Sequence, residues 1–130
     1  MADVARSAAG PAGGGPVKVI AAAGQFSRPA AGEQTHWTEQ LRVADLSVGT
    51  YSIEAGGADG QSPHTEDEIY IVAAGNAVLE SGGERAEVTP GTVIYVPAGE
   101  VHRFTDISRD LSVLVIFAPA EESRAQPSEA

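Results

Sequence analysis

Thr89-Pro90-Gly91-Thr92-Val93-Ile94-Tyr95-Val96-Pro97-Ala98-Gly99-Glu100-Val101-His102-Arg103-Phe104-Thr105 is the stretch on which the reading of this chain turns. It holds two short runs, Thr92 to Val96 and Val101 to Thr105, rich in β-branched and aromatic residues. Such residues suit a pleated, half-buried surface. Pro90-Gly91 precedes the first run and Pro97-Ala98-Gly99 separates the two. Proline fixes φ and glycine admits positive φ, so each separator ends a strand. The second turn delivers a histidine to the start of the second strand.

The same punctuation recurs outward in both directions. Upstream, strands are expected at Val17 to Ala22, Thr38 to Val43, Leu46 to Ile53, Glu68 to Ala73, Ala77 to Glu80 and Arg85 to Thr89. Downstream, Leu111 to Phe117 completes the set. Gly56-Gly57, Gly75-Asn76, Ser81-Gly82-Gly83 and Asp106 to Asp110 are read as the turns between them, Gly75-Asn76 as a hairpin. No window beyond Gly24 sustains a 3.6-residue apolar repeat; a short helical turn near Gly32 to Gln40 is the one weak helical signal. Short strands joined by tight turns imply antiparallel pairing in a sandwich or barrel. Leu111-Ser-Val-Leu-Val-Ile-Phe117 is apolar on both faces, so one face lines the interior and the other meets a second sheet or a partner subunit.

Composition bounds the rest. Residues 1–16 are rich in Ala, Gly and Pro and read as disordered; residues 119–130 read as an acidic, flexible tail; residues 17–118 form one β-domain. Eight Lys and Arg against 18 Asp and Glu give a net charge of −10. That balance argues against nucleic acid and against an anionic membrane surface. No segment reads as a secretory signal or membrane span, and the chain is read as cytoplasmic. The absence of cysteine removes disulfides, thiolate zinc sites and a cysteine nucleophile. The glycines at 13–15, 56–57 and 82–83 lack a following Lys-Ser/Thr and are loops, not phosphate cradles.

A metal site must therefore draw on the three histidines, His36, His64 and His102, and on carboxylates. His64 follows a Gly/Pro loop, Glu68 opens a strong strand, and His102 opens another. Two imidazoles and a carboxylate at the ends of adjacent antiparallel strands can converge on one point. That donor set suits Fe, Mn, Ni or Zn and leaves positions open for a substrate oxygen. The same chemistry admits Glu66 in place of an imidazole, and leaves open a polar cluster with no metal. His36 lacks a partner signal and reads as surface or loop. Alternation carries Tyr70 and Val72 inward with Glu68, and Phe104 inward with His102, which makes them candidate pocket lining. Tyr51 and Tyr95 are read as strand residues packing on neighbours.

The two motifs resemble those of the cupin superfamily. Glu68 stands seven residues before Gly75 and His64 four before Glu68, as in the first cupin motif. Gly91, Pro97, Gly99 and His102 reproduce the spacing of the second. The resemblance implies an all-β jelly-roll barrel of two antiparallel sheets, dimeric, with one divalent metal in the barrel mouth. Two positions depart from the pattern. Ser62 stands where the first motif has its leading histidine, and Asp106 stands where the second has its closing asparagine. The implied ligand set shrinks to His64, Glu68 and His102, with Ser62 or Gln61 as direct or water-mediated contacts. The implied function is metal-dependent dioxygenase, isomerase or lyase chemistry on a small organic molecule. The alternatives are a non-enzymatic small-molecule-binding or sensing module with weak or no metal, and a structural dimer with a vestigial barrel.

Overall fold

The computed structural model describes residues 15–61 and 63–125. Residues 1–14, 126–130 and Ser62 lie outside the described residues, so the expectations placed on them do too. Six strands make up the fold: β1 (Thr35–Val43), β2 (Leu46–Ile53), β3 (Asp67–Ser81), β4 (Glu84–Val88), β5 (Val93–Val96) and β6 (Arg103–Ala118). All pairings are antiparallel, in the order β1-β2-β6-β3-β4, with β5 on the free side of the first half of β3. No helix occurs among the described residues, and the fold is all-β as the turn spacing predicts.

Gly75-Asn76 does not form a hairpin, and Asp106 to Asp110 does not end a strand. Both segments lie inside the two longest strands, β3 and β6. They are bends. Between Val78↔Thr105 and Ala74↔Ser112, β3 advances four residues while β6 advances seven, so β6 bulges against its partner. Gly75 has φ 96° and Asp106 has φ 49°. A Cβ on Gly75 would stand 2.3 Å from the Asp110 carbonyl oxygen, which only a glycine avoids. Residues that terminate a strand by local chemistry here redirect one, because the ladder on either side supplies the hydrogen bonds that continue it.

The bends divide the single hydrogen-bonded sheet into two facing walls. One wall holds β1, β2, β5 and the halves of β3 and β6 that pair from Asp67↔Ala118 to Val72↔Val113. The other holds β4 with the remaining halves. Tyr70 and Phe104 are not ladder neighbours, yet their rings lie 5.0 Å apart, so their contact crosses the interior. Ile53, Val72, Val88, Val96, Ile107, Leu111 and Val113 fill the space around them. Burying each such side chain contributes about 1.5–3 kcal/mol.

Val17 to Ala22 is not a strand, and residues 32–40 hold no helical turn; Glu33-Gln34 lead directly into β1. The segment near Gly24 bonds instead to outward hydroxyls. Gly24 N–H donates to Thr50 Oγ1 (2.8 Å), Ser27 N–H to Ser52 Oγ (3.1 Å), and Ser112 Oγ donates to Gly24 O (2.7 Å). Side chains have replaced a ladder as partners. The remaining outer face carries two apolar ranks along the register, Val48-Ile116-Ile69-Tyr95 and Leu114-Ile71-Val93. Tyr95 is 59% exposed and Val93 62%. Tyr95 thus faces solvent, in place of the neighbour packing expected of it.

The bend yields a stability test. Gly75→Ala is expected to cost about 3 kcal/mol, from a positive φ and a backbone clash together. Gly82→Ala, at φ 60° with no atom near the added methyl, should cost about 1 kcal/mol. Urea midpoints of the two variants against the parent chain check the difference.

Candidate functional site

The two motif regions meet at one end of the barrel through backbone bonds. Gly99 N–H donates to the His64 carbonyl (2.7 Å), and Ala98 N–H donates to Asp67 Oδ1 (2.9 Å). The Pro97-Ala98-Gly99 turn is thereby tied to the loop that enters β3. Glu68 lies one residue into β3, between Val96 of β5 and Phe117 of β6, and points inward. His102 directly precedes β6.

Three ligand atoms face one point. His64 Nδ1 lies 3.6 Å and His102 Nε2 3.4 Å from Glu68 Oε1, and one ligand atom from each residue lies within 4.8 Å of the others. His102 Nδ1 is 2.8 Å from the Glu100 carbonyl, which only accepts, so Nδ1 carries a proton and the neutral ring has its lone pair on Nε2. His64 Nδ1 and both oxygens of Glu68 are buried without any hydrogen-bond partner. Beside Glu68, the His64 imidazole is held above its usual pKa by its pairing with that carboxylate, against the effect of burial. A buried carboxylate with no donor is costly unless a cation compensates it. The orphaned atoms, all nitrogen or oxygen, fit a divalent transition metal.

Around this point lies a cavity of about 160 Å³, lined by Trp37, Tyr51, Gln61, His64, Glu68, Tyr70, Val115, Phe117 and Glu121. No Lys or Arg lines it. A hydrogen-bonded chain supports one side. Tyr51 Oη donates to Asp59 Oδ1 (2.7 Å), Phe104 N–H to Asp59 Oδ2 (2.9 Å), and Gln61 uses its main-chain and amide N–H groups on the same carboxylate. Gln61 Nε2 also reaches the Tyr70 hydroxyl (2.7 Å), which lies 2.9 Å from His102 Nε2. With the lone pair on Nε2, Tyr70 is the donor. Burial, then the charges of Glu68 and Asp59, hold the Tyr70 hydroxyl well above its usual pKa. Tyr51 is raised by burial and by Asp59, so both phenols stay protonated.

His64, Glu68, His102, Tyr70 and Gln61 therefore come together. Gln61 does so through Tyr70 and not at the ligand point. Glu66 does not reach that point: its carboxylate accepts from the Thr65 hydroxyl, from Glu122 N–H (2.6 Å) and from Arg124 N–H (2.8 Å). Burial disfavours its charge, but these bonds outweigh that and hold its pKa below the usual range. Val72 and Phe104 are inward as alternation requires, yet they pack in the core behind Tyr70 and do not line the cavity. His36 lies on β1, paired with Thr38 Oγ1 (2.9 Å). Residues 119–125, read from composition as part of a tail, fold back over the barrel mouth, and Ala120 is buried.

Sequence reasoning missed Trp37, Phe117, Asp59 and Glu121. The period-2 rule applied to β6 from Val113 would have placed Phe117 inside. Asp59 and Glu121 sit in irregular segments and carry no local signal.

A family model described as a cupin domain matches residues 49–117, more than half of the chain. The chain belongs to the cupin family. This cupin is 49% identical over 81 residues to an uncharacterized protein of Streptomyces coelicolor, spanning 62% of this chain and 77% of that protein. Among solved structures, KdgF from Halomonas sp. superposes with a TM-score of 0.61 at 22% identity, over 66% of this cupin and 79% of KdgF. The DMSP lyase DddQ from Ruegeria pomeroyi gives 0.62 at 22%, over 73% of this cupin and 53% of DddQ. At that identity the likeness is one of fold.

Asp59 is the anchor of the polar side of the site. Asp59→Ala leaves buried donors of Tyr51, Phe104 and Gln61 unpaired, and is expected to lower stability by about 3 kcal/mol. Asp59→Asn keeps one acceptor oxygen and should cost about half as much. Guanidinium unfolding followed by circular dichroism checks both.

Proposed function

We propose that this cupin binds one divalent transition metal, Fe, Mn, Ni or Zn, through His64, Glu68 and His102, and acts as a metal-dependent enzyme on a small organic molecule in the barrel mouth. The observation that carries this reading is the set of orphaned, buried atoms, His64 Nδ1 and both Glu68 oxygens, with His102 Nε2 3.4 Å from Glu68 Oε1. The bound metal supplies Lewis acidity toward a substrate oxygen, or a seat for dioxygen, which defines the oxygenase, isomerase and lyase classes. The chain supplies the rest. The Glu100 carbonyl holds the His102 ring and its tautomer, as outer contacts of ligating histidines do. Trp37, Tyr51, Val115 and Phe117 form the apolar wall that bounds the substrate and excludes water. Gln61 and Tyr70 are the polar groups on the other side, and the Gln61 amide holds the Tyr70 hydroxyl in place. The cavity, about 160 Å³, lies below the roughly 300 Å³ at which drug-sized pockets begin, which favours a small substrate.

One observation favours the second reading, a ligand-binding module with weak or no metal. Tyr70 already donates to His102 Nε2, so that lone pair is satisfied without a cation. Elemental analysis after growth, and after incubation with each of the four metals, separates the two. About one equivalent per chain is expected, lost in His64→Ala and in His102→Ala. At a hundredfold excess over Kd the metal should stabilise the fold by about 2.7 kcal/mol. A chain that takes up none of the four belongs to the second reading.

The same proposal takes the protein as cytoplasmic and as a homodimer joined through the outer apolar ranks. No described helix is long and apolar enough to cross a membrane. Apolar side chains at Val93 and Tyr95, beside Ile69 and Ile71, form a contiguous patch of the kind that marks an association surface. Light scattering at micromolar concentration should give twice the chain mass. Val93→Glu with Tyr95→Glu should give the single-chain mass while metal uptake is retained.

A further inference from the structure

His64 presents its two ring nitrogens to two different carboxylates. Nδ1 faces Glu68 Oε1 at 3.6 Å, and Nε2 faces Glu121 Oε2 at 3.5 Å. The ring also packs on Phe117, with centroids 4.6 Å apart. Glu121 follows β6 and lies beyond the segment that the family model matches. Neither cupin motif contains it. It nevertheless lines the same cavity as His64 and Glu68.

The main chain around Glu121 is clamped from both sides. Its N–H donates to Ser47 Oγ (2.9 Å), and its carbonyl accepts from Arg42 Nη1 (3.0 Å). The next turn is held by Glu66, which accepts from the N–H groups of Glu122 and Arg124. Ala120, on the other side, is buried. Glu66 and Ser47 are themselves buried, at 1% exposure each. A buried carboxylate and a buried hydroxyl committed to a short segment imply that its placement matters, since each could otherwise be an apolar residue at less cost.

We propose that Glu121 is a positioning residue of the metal site: its carboxylate accepts the Nε2–H of His64 and so aims Nδ1 at the point shared with Glu68 and His102, while Glu66, Ser47 and Arg42 form the clamp that holds Glu121 there. The inference rests on the metal reading above and deepens it. A ligating histidine whose second nitrogen donates to a carboxylate is fixed in tautomer and orientation and made more basic. His102 obtains this from the Glu100 carbonyl. For His64, Glu121 lies against the second nitrogen. Glu66 thus acts on the site through the chain and not as a ligand.

The test is calorimetric titration of the full chain with Co(II), together with the visible spectrum of the Co(II)-loaded protein. The parent chain should bind one Co(II). Glu121→Ala should bind it about 10- to 100-fold more weakly, with shifted d–d bands. Glu121→Gln keeps an oxygen that accepts Nε2–H and should recover part of the loss. Glu122→Gln removes a charge one residue away and should stay within about twofold of the parent. Ser47→Ala should weaken binding in the parent background and add nothing to Glu121→Ala, because both act through one placement. Unchanged melting of metal-free Glu121→Ala separates positioning from folding. Equal Co(II) affinity in the parent and Glu121→Ala overturns the inference and leaves the metal reading standing. Equal losses in Glu122→Gln and Glu121→Ala also overturn it, since charge alone would then account for both. A parent chain that binds no Co(II) overturns both the inference and the reading beneath it.

Discussion

The pairing of β3 with β6 is the constraint on which the rest of the molecule depends. It runs from Asp67↔Ala118 to Glu80↔Arg103 and passes through both walls of the barrel. Its first half carries Glu68 and Tyr70 on one strand and Phe117 on the other. Its second half carries Phe104, with His102 just before it. Those residues share an interior only because both strands bend in the same place, where Gly75 takes a positive φ against Asp110 and Leu111. A straight ladder of this length would hold the two motif regions far apart, since a strand advances about 3.3 Å per residue. The bend turns a distance along the strand into a contact across the barrel.

Three carboxylates are buried beside this ladder, and their surroundings separate their roles. Asp59 accepts four hydrogen bonds and joins the loop before β3 to β2 and β6. Glu66 accepts three and holds the chain that follows β6. Glu68 accepts none. Burial of all three is similar, so burial alone does not identify a functional group. What distinguishes Glu68 is that neither oxygen has a hydrogen-bond donor and that two imidazoles stand beside it. Asp59 and Glu66 come with donors attached; the Glu68 lone pairs have none.

Much of the architecture was legible along the chain, for reasons specific to each element. Leu46–Ile53 reads as a strand with correct bounds because it is rich in β-branched and aromatic residues and is bounded by turn-forming residues. Thr92 to Val96 reads nearly as well, between Pro90-Gly91 and Pro97. Gly75-Asn76 misleads because glycine's freedom serves a bend as readily as a turn, and the choice depends on whether a partner strand continues alongside. Val17 to Ala22 has strand composition but pairs with no strand. The chain first meets the sheet at Gly24, which bonds to hydroxyls of β2 and β6. At the site, His64, Glu68 and His102 were visible because motif spacing carries them. Val72 and Phe104 were placed inward correctly, but alternation cannot tell a cavity wall from the core behind it.

By itself, the sequence determined the all-β class, the antiparallel pairing, the choice of nitrogen and oxygen donors, and the identity of the three residues that converge. The class and the pairing follow from side-chain period and turn propensity, the donor types from the absence of cysteine, and the three residues from spacing that resembles the cupin motifs. Only the tertiary structure decided what Glu66 and Asp59 bond to and that Glu121 stands beside His64. All three are acidic residues in irregular segments, indistinguishable in a chain that carries 18 of them. Their partners depend on which groups the folded chain brings close. Those groups lie as far away in sequence as Phe104 from Asp59 and Arg124 from Glu66. A hydrogen bond is short and directional, so pairing between distant segments exists only once the barrel has closed.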